Sequence, residues 1–214
     1  MPPRPRILDL GCGPGRQTLV LARAFDTVIT AVDIHRPYLD QLAESAAAAG
    51  LSDRIETRCA NMEALEEPPE SVDLFWSEGA VYVPGVVRAL ELWRPLLAPG
   101  GVIAFTELSW LTPSPPQEPA KFWSAAYPSM GTVGENLERI KRAGYQVIDR
   151  FTLPERDWWD DYFRPLERRI AGLRSASRVD LVMETVMVGT EREIDLYRRH
   201  GGSFGYVFYV LRKY

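Results

Sequence analysis

At 214 residues, 46% apolar and 25% charged, the chain has a globular composition and enough length for one α/β domain with a full core. Its net charge of −4 disfavours a nucleic-acid surface, and no apolar run nears the roughly 20 residues of a membrane span. Its only two cysteines, Cys12 and Cys59, exclude a disulfide scaffold; with no signal-peptide segment behind Met1–Arg6, a cytoplasmic location is expected.

The elements alternate through the first half. Arg6–Leu10 is predicted as a strand, and Arg16–Phe25 as a helix with Leu19, Ala22 and Phe25 at helical spacing. Thr27–Val32 is a β-branched second strand ending at Asp33. Pro37–Ala49 is an alanine-rich helix stopped by Gly50. Ile55–Cys59 reads as strand three, and Val72–Trp76 as strand four, apolar on both faces like a central parallel strand. Val86–Leu97 sets Val86, Leu90, Trp93 and Leu97 along one helical stripe. Pro99-Gly100-Gly101 then turns the chain into strand five, Val102–Thr106. Such alternation means a parallel sheet wrapped by helices.

The second half differs. Leu111–Met130 carries Pro113, Pro115, Pro116, Pro119 and Pro128 among Phe122, Trp123 and Tyr127, which marks an insertion. Glu135–Ala143 reads as a helix stopped at Gly144, followed by strand Tyr145–Phe151. Trp158–Arg174 and Arg178–Arg199 read as helices linked near Ser175–Ser177, and Phe204–Arg212 as the closing strand. A single domain over 1–214 is expected, with an aromatic and helical cover from 111–130 and 155–200.

The chemistry concentrates at Asp9-Leu10-Gly11-Cys12-Gly13-Pro14-Gly15. A strand, a tight glycine loop and a helix start bring bare backbone to a nucleotide-like ligand. A dinucleotide fold spaces its glycines G-x-G-x-x-G. Here they fall at every second residue, and Arg16 holds the third dinucleotide position. Asp9 repels a pyrophosphate but suits a cationic amino acid. S-adenosylmethionine (SAM) carries an α-amino group and a sulfonium, and no phosphate. Asp33, at the end of strand two, stands where an acid accepts both ribose hydroxyls.

Asn61-Met62 follows strand three, Ser77-Glu78-Gly79-Ala80 follows strand four, and Trp93-Arg94-Pro95-Leu96-Leu97-Ala98-Pro99-Gly100-Gly101 leads into strand five. With these features in order, the chain resembles the class I SAM-dependent methyltransferases. Asp73–Tyr82, Phe122–Pro128 and Gly205–Tyr209 are similar to a small bacterial subgroup of the type 11/25-like kind. The resemblance runs from Arg6 to the C-terminus. It implies an α/β fold with a seven-stranded, mostly parallel Rossmann-like sheet, order 3-2-1-4-5-7-6, strand 7 antiparallel and helices on both faces. It also implies SAM as cofactor and S-adenosylhomocysteine (SAH) as product. The residues it assigns to cofactor binding are Asp9, Gly11, Gly13, Gly15, Gln17, Asp33, Ile34, Asn61, Met62, Ser77 and Glu78. Asn61 replaces the acid that usually accepts from the adenine amino group, and its side-chain carbonyl can accept one such bond. Met62 is either a cover for the adenine face or a packing residue. The family places helices before strand one, where only Met1–Pro5 stand here; a truncated chain, a different start or another covering segment are the expected alternatives.

In an open α/β sheet the ligand collects beyond the strand ends, at the switch between strands one and four. Methyl transfer from a sulfonium is an in-line displacement, helped by alignment, and a general base matters only where the acceptor loses a proton. Glu78, Glu107 and Tyr82 are the candidates for base or substrate contact; for Glu78 the alternative is a SAM contact or a helix-entry acid. Trp110, Phe122, Trp123, Tyr127, Trp158, Trp159, Tyr162 and Phe163 are either a lid around a small acceptor or packing for the added helices. At least one of Trp110 and Trp123 is expected to line the acceptor pocket. With Asp157 and Asp160 nearby in sequence, an amine acceptor is conceivable. No metal site is expected from His35 and His200. Arg164, Arg168, Arg169, Arg174 and Arg178 are expected on a solvated helix face.

The leading expectation is an enzyme that moves a methyl group from SAM to a small-molecule acceptor, with no nucleic-acid or membrane partner and a homodimer left open. No Asn/Asp-Pro-Pro-aromatic motif follows strand four and neither cysteine follows a proline, so the nucleic-acid subclasses that use them lack support. The alternatives are a SAM-binding regulatory protein without turnover, a protein methyltransferase, and a nicotinamide oxidoreductase that would bind NAD.

Overall fold

The computed structural model describes residues 2–175 and 180–214. The expected linker near Ser175–Ser177, Arg178 and the start of the helix expected from it fall largely on 176–179, outside the described residues. The elements are β1 (Ile7–Leu10), α1 (Arg16–Ala24), β2 (Ile29–Asp33), α2 (Arg36–Ala48), β3 (Ile55–Cys59), β4 (Val72–Ser77), α3 (Val86–Trp93), β5 (Leu97–Trp110), α4 (Gln117–Ala126), α5 (Val133–Arg142), β6 (Tyr145–Thr152), α6 (Glu155–Trp158), α7 (Arg164–Ser175), α8 (Leu181–His200) and β7 (Phe204–Lys213). A single π-turn, Trp159–Phe163, joins α6 to α7.

The strands form one sheet in the order β3-β2-β1-β4-β5-β7-β6, with β7 antiparallel and helices around it. The expected topology is therefore correct. The end of α3 and both ends of β5 differ from expectation. Pro95 has no amide to donate, so α3 stops at Trp93 instead of running to Leu97. Leu97 instead pairs with Val72, and Leu74 pairs with Val102. The Pro99-Gly100-Gly101 turn is thus an irregularity inside β5, not a loop before it, and Gly100 makes it with a φ of 74°. At its other end β5 continues to Trp110.

The chain divides into two compact units. One comprises Met1–Leu108, Val133–Phe151 and Val207–Tyr214; the other comprises Ser109–Thr132 and Thr152–Tyr206. In the first, β1 is buried along its whole length, as a central parallel strand requires. Cross-strand partners share a face, so Asp9 lies on the same side as Ala31, Trp76 and Ala104. On that side α1 and α2 pack over β1–β3 through Leu19, Leu39 and Leu42 against Cys12, Ala31 and Ile55. The other side carries Phe75, stacked on Trp93 of α3 with centroids 5.6 Å apart. Tyr145 donates its hydroxyl to the Leu90 carbonyl at 2.9 Å and so ties β6 to α3; burial pushes this phenol up to about 12. Buried Glu67 lies between the guanidinium groups of Arg6 and Arg58, pinning the chain entering β1 to β3.

The second unit is held by rings. Trp158 stacks on Tyr197, Tyr206 and Phe163 at 4.6, 5.1 and 5.4 Å. The π-turn adds one residue to the helical repeat, and both Trp158 and Phe163 are buried across it. Trp123 and Trp110 meet Phe204 edge-on at 5.5 and 6.1 Å. Of the arginines expected on a solvated face, Arg164 pairs with Asp160 and Arg174 with Glu184 and Glu191; Arg198 of α8 pairs with Glu167.

Candidate functional site

The C-terminal ends of β1, β2 and β4 converge on the glycine loop. The amides of Gly11 and Cys12 both donate to the Val32 carbonyl, at 2.8 and 3.1 Å, which closes the loop against β2. Gly11, with φ 68°, has no room for a side chain: a Cβ there would stand 2.3 Å from the Ala80 Cβ and 2.9 Å from the Met62 methyl. The loop is thereby packed against the chain leaving β4. Gly13, with φ 54°, is the opposite case. A Cβ there would meet nothing within 4 Å, so its backbone faces open space. Gly15 closes down on Leu42 and starts α1.

Three carboxyls surround this loop. Asp9 is completely buried. Its Oδ2 accepts the Thr18 hydroxyl at 2.5 Å, and its Oδ1 has no hydrogen-bond partner. A buried unpaired acceptor is costly and calls for an explanation. Desolvation raises the Asp9 pKa to about 7, and the charges of Glu78 and Asp33 push the same way; Thr18 and Gln17 pull it down. Asp33 accepts the Gly13 amide on Oδ2 and the His35 amide on Oδ1, each at 2.8 Å. Both oxygens keep a second lone pair. Glu78 is half-buried, and its Oε1 accepts the indole N–H of Trp76 at 2.7 Å. Desolvation raises its pKa, and the Trp76 donation only partly opposes this. No cation of the described residues is among the groups that set Asp9 or Glu78.

The other sequence candidates fall in several places. Gln17 donates its amide to the Cys12 carbonyl at 3.1 Å and braces the loop. Ser77 is buried and donates to the Leu10 carbonyl at 2.8 Å, joining the ends of β4 and β1. Asn61 accepts the Glu63 amide on Oδ1 at 2.9 Å, which uses one of the lone pairs expected for a ligand. Met62 lies on Gly11, and its carbonyl accepts the Trp93 indole at 3.0 Å. Ile34 is 74% exposed. Tyr82 is half exposed, at 52%. Glu107 is buried, and strand alternation from Phe105 sets it on the Phe75 side of the sheet, away from the side that carries Asp9 and Trp76. Asp9, Gly11, Gly13, Asp33, Met62 and Glu78 are thus brought together, whereas Glu107 lies on the other side of the sheet.

Thr18, Trp76 and Thr106 were not among the candidates. Thr18 anchors Asp9, Trp76 anchors Glu78, and Thr106 accepts the Gly79 amide at 2.8 Å. One signal was available for Trp76: in a strand, residues two apart share a face, and Trp76 precedes Glu78 by two. The histidines do not converge. The His35 ring packs edge-on against Tyr38 at 4.5 Å, and His200 pairs with Glu118 at 3.1 Å. Among the described residues no three His, Cys, Asp or Glu side chains could hold a metal ion, and no helix is long and apolar enough to cross a membrane.

Comparison with known proteins points the same way. Residues 7–101 match the model of a methyltransferase domain. The chain is 30% identical to 27-O-demethylrifamycin SV methyltransferase of Amycolatopsis mediterranei over 84% of its own length and 58% of that protein. It is 40% identical to malonyl-[acyl-carrier protein] O-methyltransferase of Salmonella typhimurium over 48% of its length and 38% of that protein. The chain therefore spans less than two thirds of the length of these relatives. Its fold is shared with a SAM-dependent methyltransferase from Geobacter sulfurreducens solved with SAH: TM-score 0.80, 23% identity, covering 100% of this chain and 86% of that one. Residues 7–101 thus carry a methyltransferase domain, and in its glycine loop, sheet order and these relatives the chain is similar to the class I SAM-dependent methyltransferases.

Proposed function

We propose that the protein transfers a methyl group from SAM to an oxygen of a small-molecule acceptor. The observation that carries this reading is Asp9: a fully buried carboxyl with one unpartnered oxygen, beside a glycine whose backbone faces open space. An ammonium group bound there would satisfy Oδ1 and draw the carboxyl into its charged form. Phosphate fits poorly, because Asp9 and Glu78 would repel it. The residues present thus suit SAM: Asp9 would receive its ammonium, the free lone pairs of Asp33 its ribose hydroxyls, and Met62 would cover its base. When bound, SAM supplies a methyl group made electrophilic by its sulfonium.

The protein's own part is to align the acceptor and handle its proton. Glu78 is the proposed base, because a carboxyl with a raised pKa is a better proton acceptor than an exposed one. Its Oε1 is held by Trp76, and Oε2 is the oxygen left to receive a proton. Glu107 comes second because it lies on the other side of the sheet, and Tyr82 because it is half exposed. Oxygen is favoured over an amine by the names of both relatives, one a 27-O-demethylrifamycin SV methyltransferase and the other an O-methyltransferase.

The test is calorimetric titration of the full chain with SAH and with NAD, followed by label transfer from methyl-labelled SAM to a panel of hydroxyl, carboxyl and amine acceptors. SAH binding, no NAD binding and label on an oxygen support the reading. NAD binding without SAH binding overturns it. SAH binding with transfer to no acceptor favours a SAM-responsive regulator, and label on an amine overturns the choice of oxygen alone.

A further inference from the structure

Trp76 links the two desolvated carboxyls. In the sheet register it is the direct partner of Asp9, so the indole and the Asp9 side chain lie next to each other on one face. Its N–H then reaches the Glu78 Oε1 at 2.7 Å. The ring fits there because its partner on β5 is Ala104, the smallest side chain that keeps a Cβ. Beyond that gap it packs on Phe208 at 5.0 Å, and Phe208 stacks on Phe151 at 5.1 Å with planes 3° apart. The backbone around Glu78 is held as firmly. Ser77 donates to the Leu10 carbonyl on one side, and the Gly79 amide donates to Thr106 on the other, both at 2.8 Å.

A carboxylate at a strand end ordinarily turns toward water, where its charge is cheapest. Glu78 is instead kept half-buried by one side-chain donor, and the strand partner of that donor residue is Asp9, whose Oδ1 is unpartnered. A phenylalanine would keep an aromatic ring between Ala104 and Phe208, though a smaller one, and would lack the donor. The indole N–H itself is spent on Glu78, so the effect of losing it falls on where the Glu78 charge sits.

We propose that Trp76 is a positioning residue that fixes the Glu78 carboxylate beside Asp9, so that the two carboxylates favour a ligand bearing a second positive charge over one bearing a single ammonium. This rests on the SAM reading above and deepens it. The site would prefer the sulfonium-bearing SAM to its product SAH, in which that charge is gone. Asp33, the third acid nearby, has both oxygens engaged by backbone amides and contributes equally to either ligand.

The experiment titrates the full chain, W76F, E78Q and the double variant W76F/E78Q by calorimetry at pH 8. The probes are SAH and sinefungin, which carries an amine where SAM has its sulfonium. The wild-type protein is expected to prefer sinefungin. That preference falls on the order of tenfold in E78Q and in W76F, the size of one lost charge-assisted interaction, while SAH affinity changes little. The double variant loses no more than E78Q alone, because Trp76 acts through Glu78. An unchanged preference in E78Q overturns the proposal even where W76F folds poorly. Additive losses in the double variant overturn the positioning role. Failure of SAH to bind the wild-type chain is a different outcome, since it removes the SAM reading itself and the proposal with it.

Discussion

The two units of the chain bury very different things. The first buries polar groups at the strand ends: Asp9 without a full set of partners, and Ser77 and Thr18 spent on fixing the loop. The second buries aromatic rings against one another, with Trp158 between Tyr197, Tyr206 and Phe163, and confines its ion pairs to exposed helix faces. An unpaired buried carboxyl costs stability in the free protein and is accounted for by a ligand. A stacked ring is accounted for by the core it completes. The indole N–H groups of Trp158 and Trp123 are also buried without a partner, but they are neutral; what sets Asp9 apart, and teaches where to look for chemistry, is an ionisable group whose burial the fold leaves uncompensated.

The largest effect that would sharpen this contrast is in the ring core. Trp158→Ala should cost roughly 3–5 kcal/mol of stability, the range for removing a large buried aromatic, as read by urea unfolding. A cost under 1 kcal/mol would break the view of this unit as ring-supported. Next comes the loop. Gly11→Ala forces a Cβ to 2.3 Å from Ala80 at a φ of 68°, and should cost about 2–4 kcal/mol together with SAH binding. Gly13→Ala has the space and carries only the backbone strain, about 1 kcal/mol, so its stability should stay well above that of the Gly11 variant.

The buried acid gives a smaller, pH-dependent signature. Folding raises the Asp9 pKa from 3.8 to about 7, so the folded state binds the extra proton between those values. Asp9 therefore subtracts from stability as pH rises from about 4 to about 7, and the penalty is constant above that. Asp9→Asn should raise the melting temperature more at pH 8 than at pH 4, and SAH affinity of the wild-type chain should rise with pH up to about 7. A flat profile for both would show that Asp9 is not the charged group receiving the ligand. The smallest effect belongs to the exposed pair in the second unit. Arg199 and His200 hold the Glu118 pKa down at about 2, so its contribution is present above 4.5 and lost as pH falls through 2. Solvent screens it, and Glu118→Gln should change acid unfolding only slightly.

Much of this site was legible from the chain. The apolar run before Asp9, the alternating glycines and the acid at the end of β2 each follow from local spacing, and all three stand where they were expected. Asn61 shows the limit of such spacing. A residue's position after a strand says which end of the sheet it occupies, but not whether its side chain is already engaged: the Asn61 carbonyl accepts the Glu63 amide. Glu107 was expected just past strand five, as Glu78 is past strand four, yet it lies within β5, where alternation sets it on the opposite side of the sheet.

The sequence by itself determined the alternation of strands and helices, the glycine loop, and the acids Asp9, Asp33 and Glu78, because these depend on turn geometry and periodicities of two and 3.6 residues. The start of β5 was decided otherwise. Leu97 entered the strand because Val72 was there to pair with it, and the helix preceding it ended at a proline. The partnership of Trp76 with Asp9 was likewise a matter of register between two strands 67 residues apart in the hydrogen-bonding scheme. So was the solitude of the Asp9 Oδ1. Whether a polar atom is satisfied depends on every neighbour that packing brings within 3 Å, and that is a property only the assembled sheet and its helices possess.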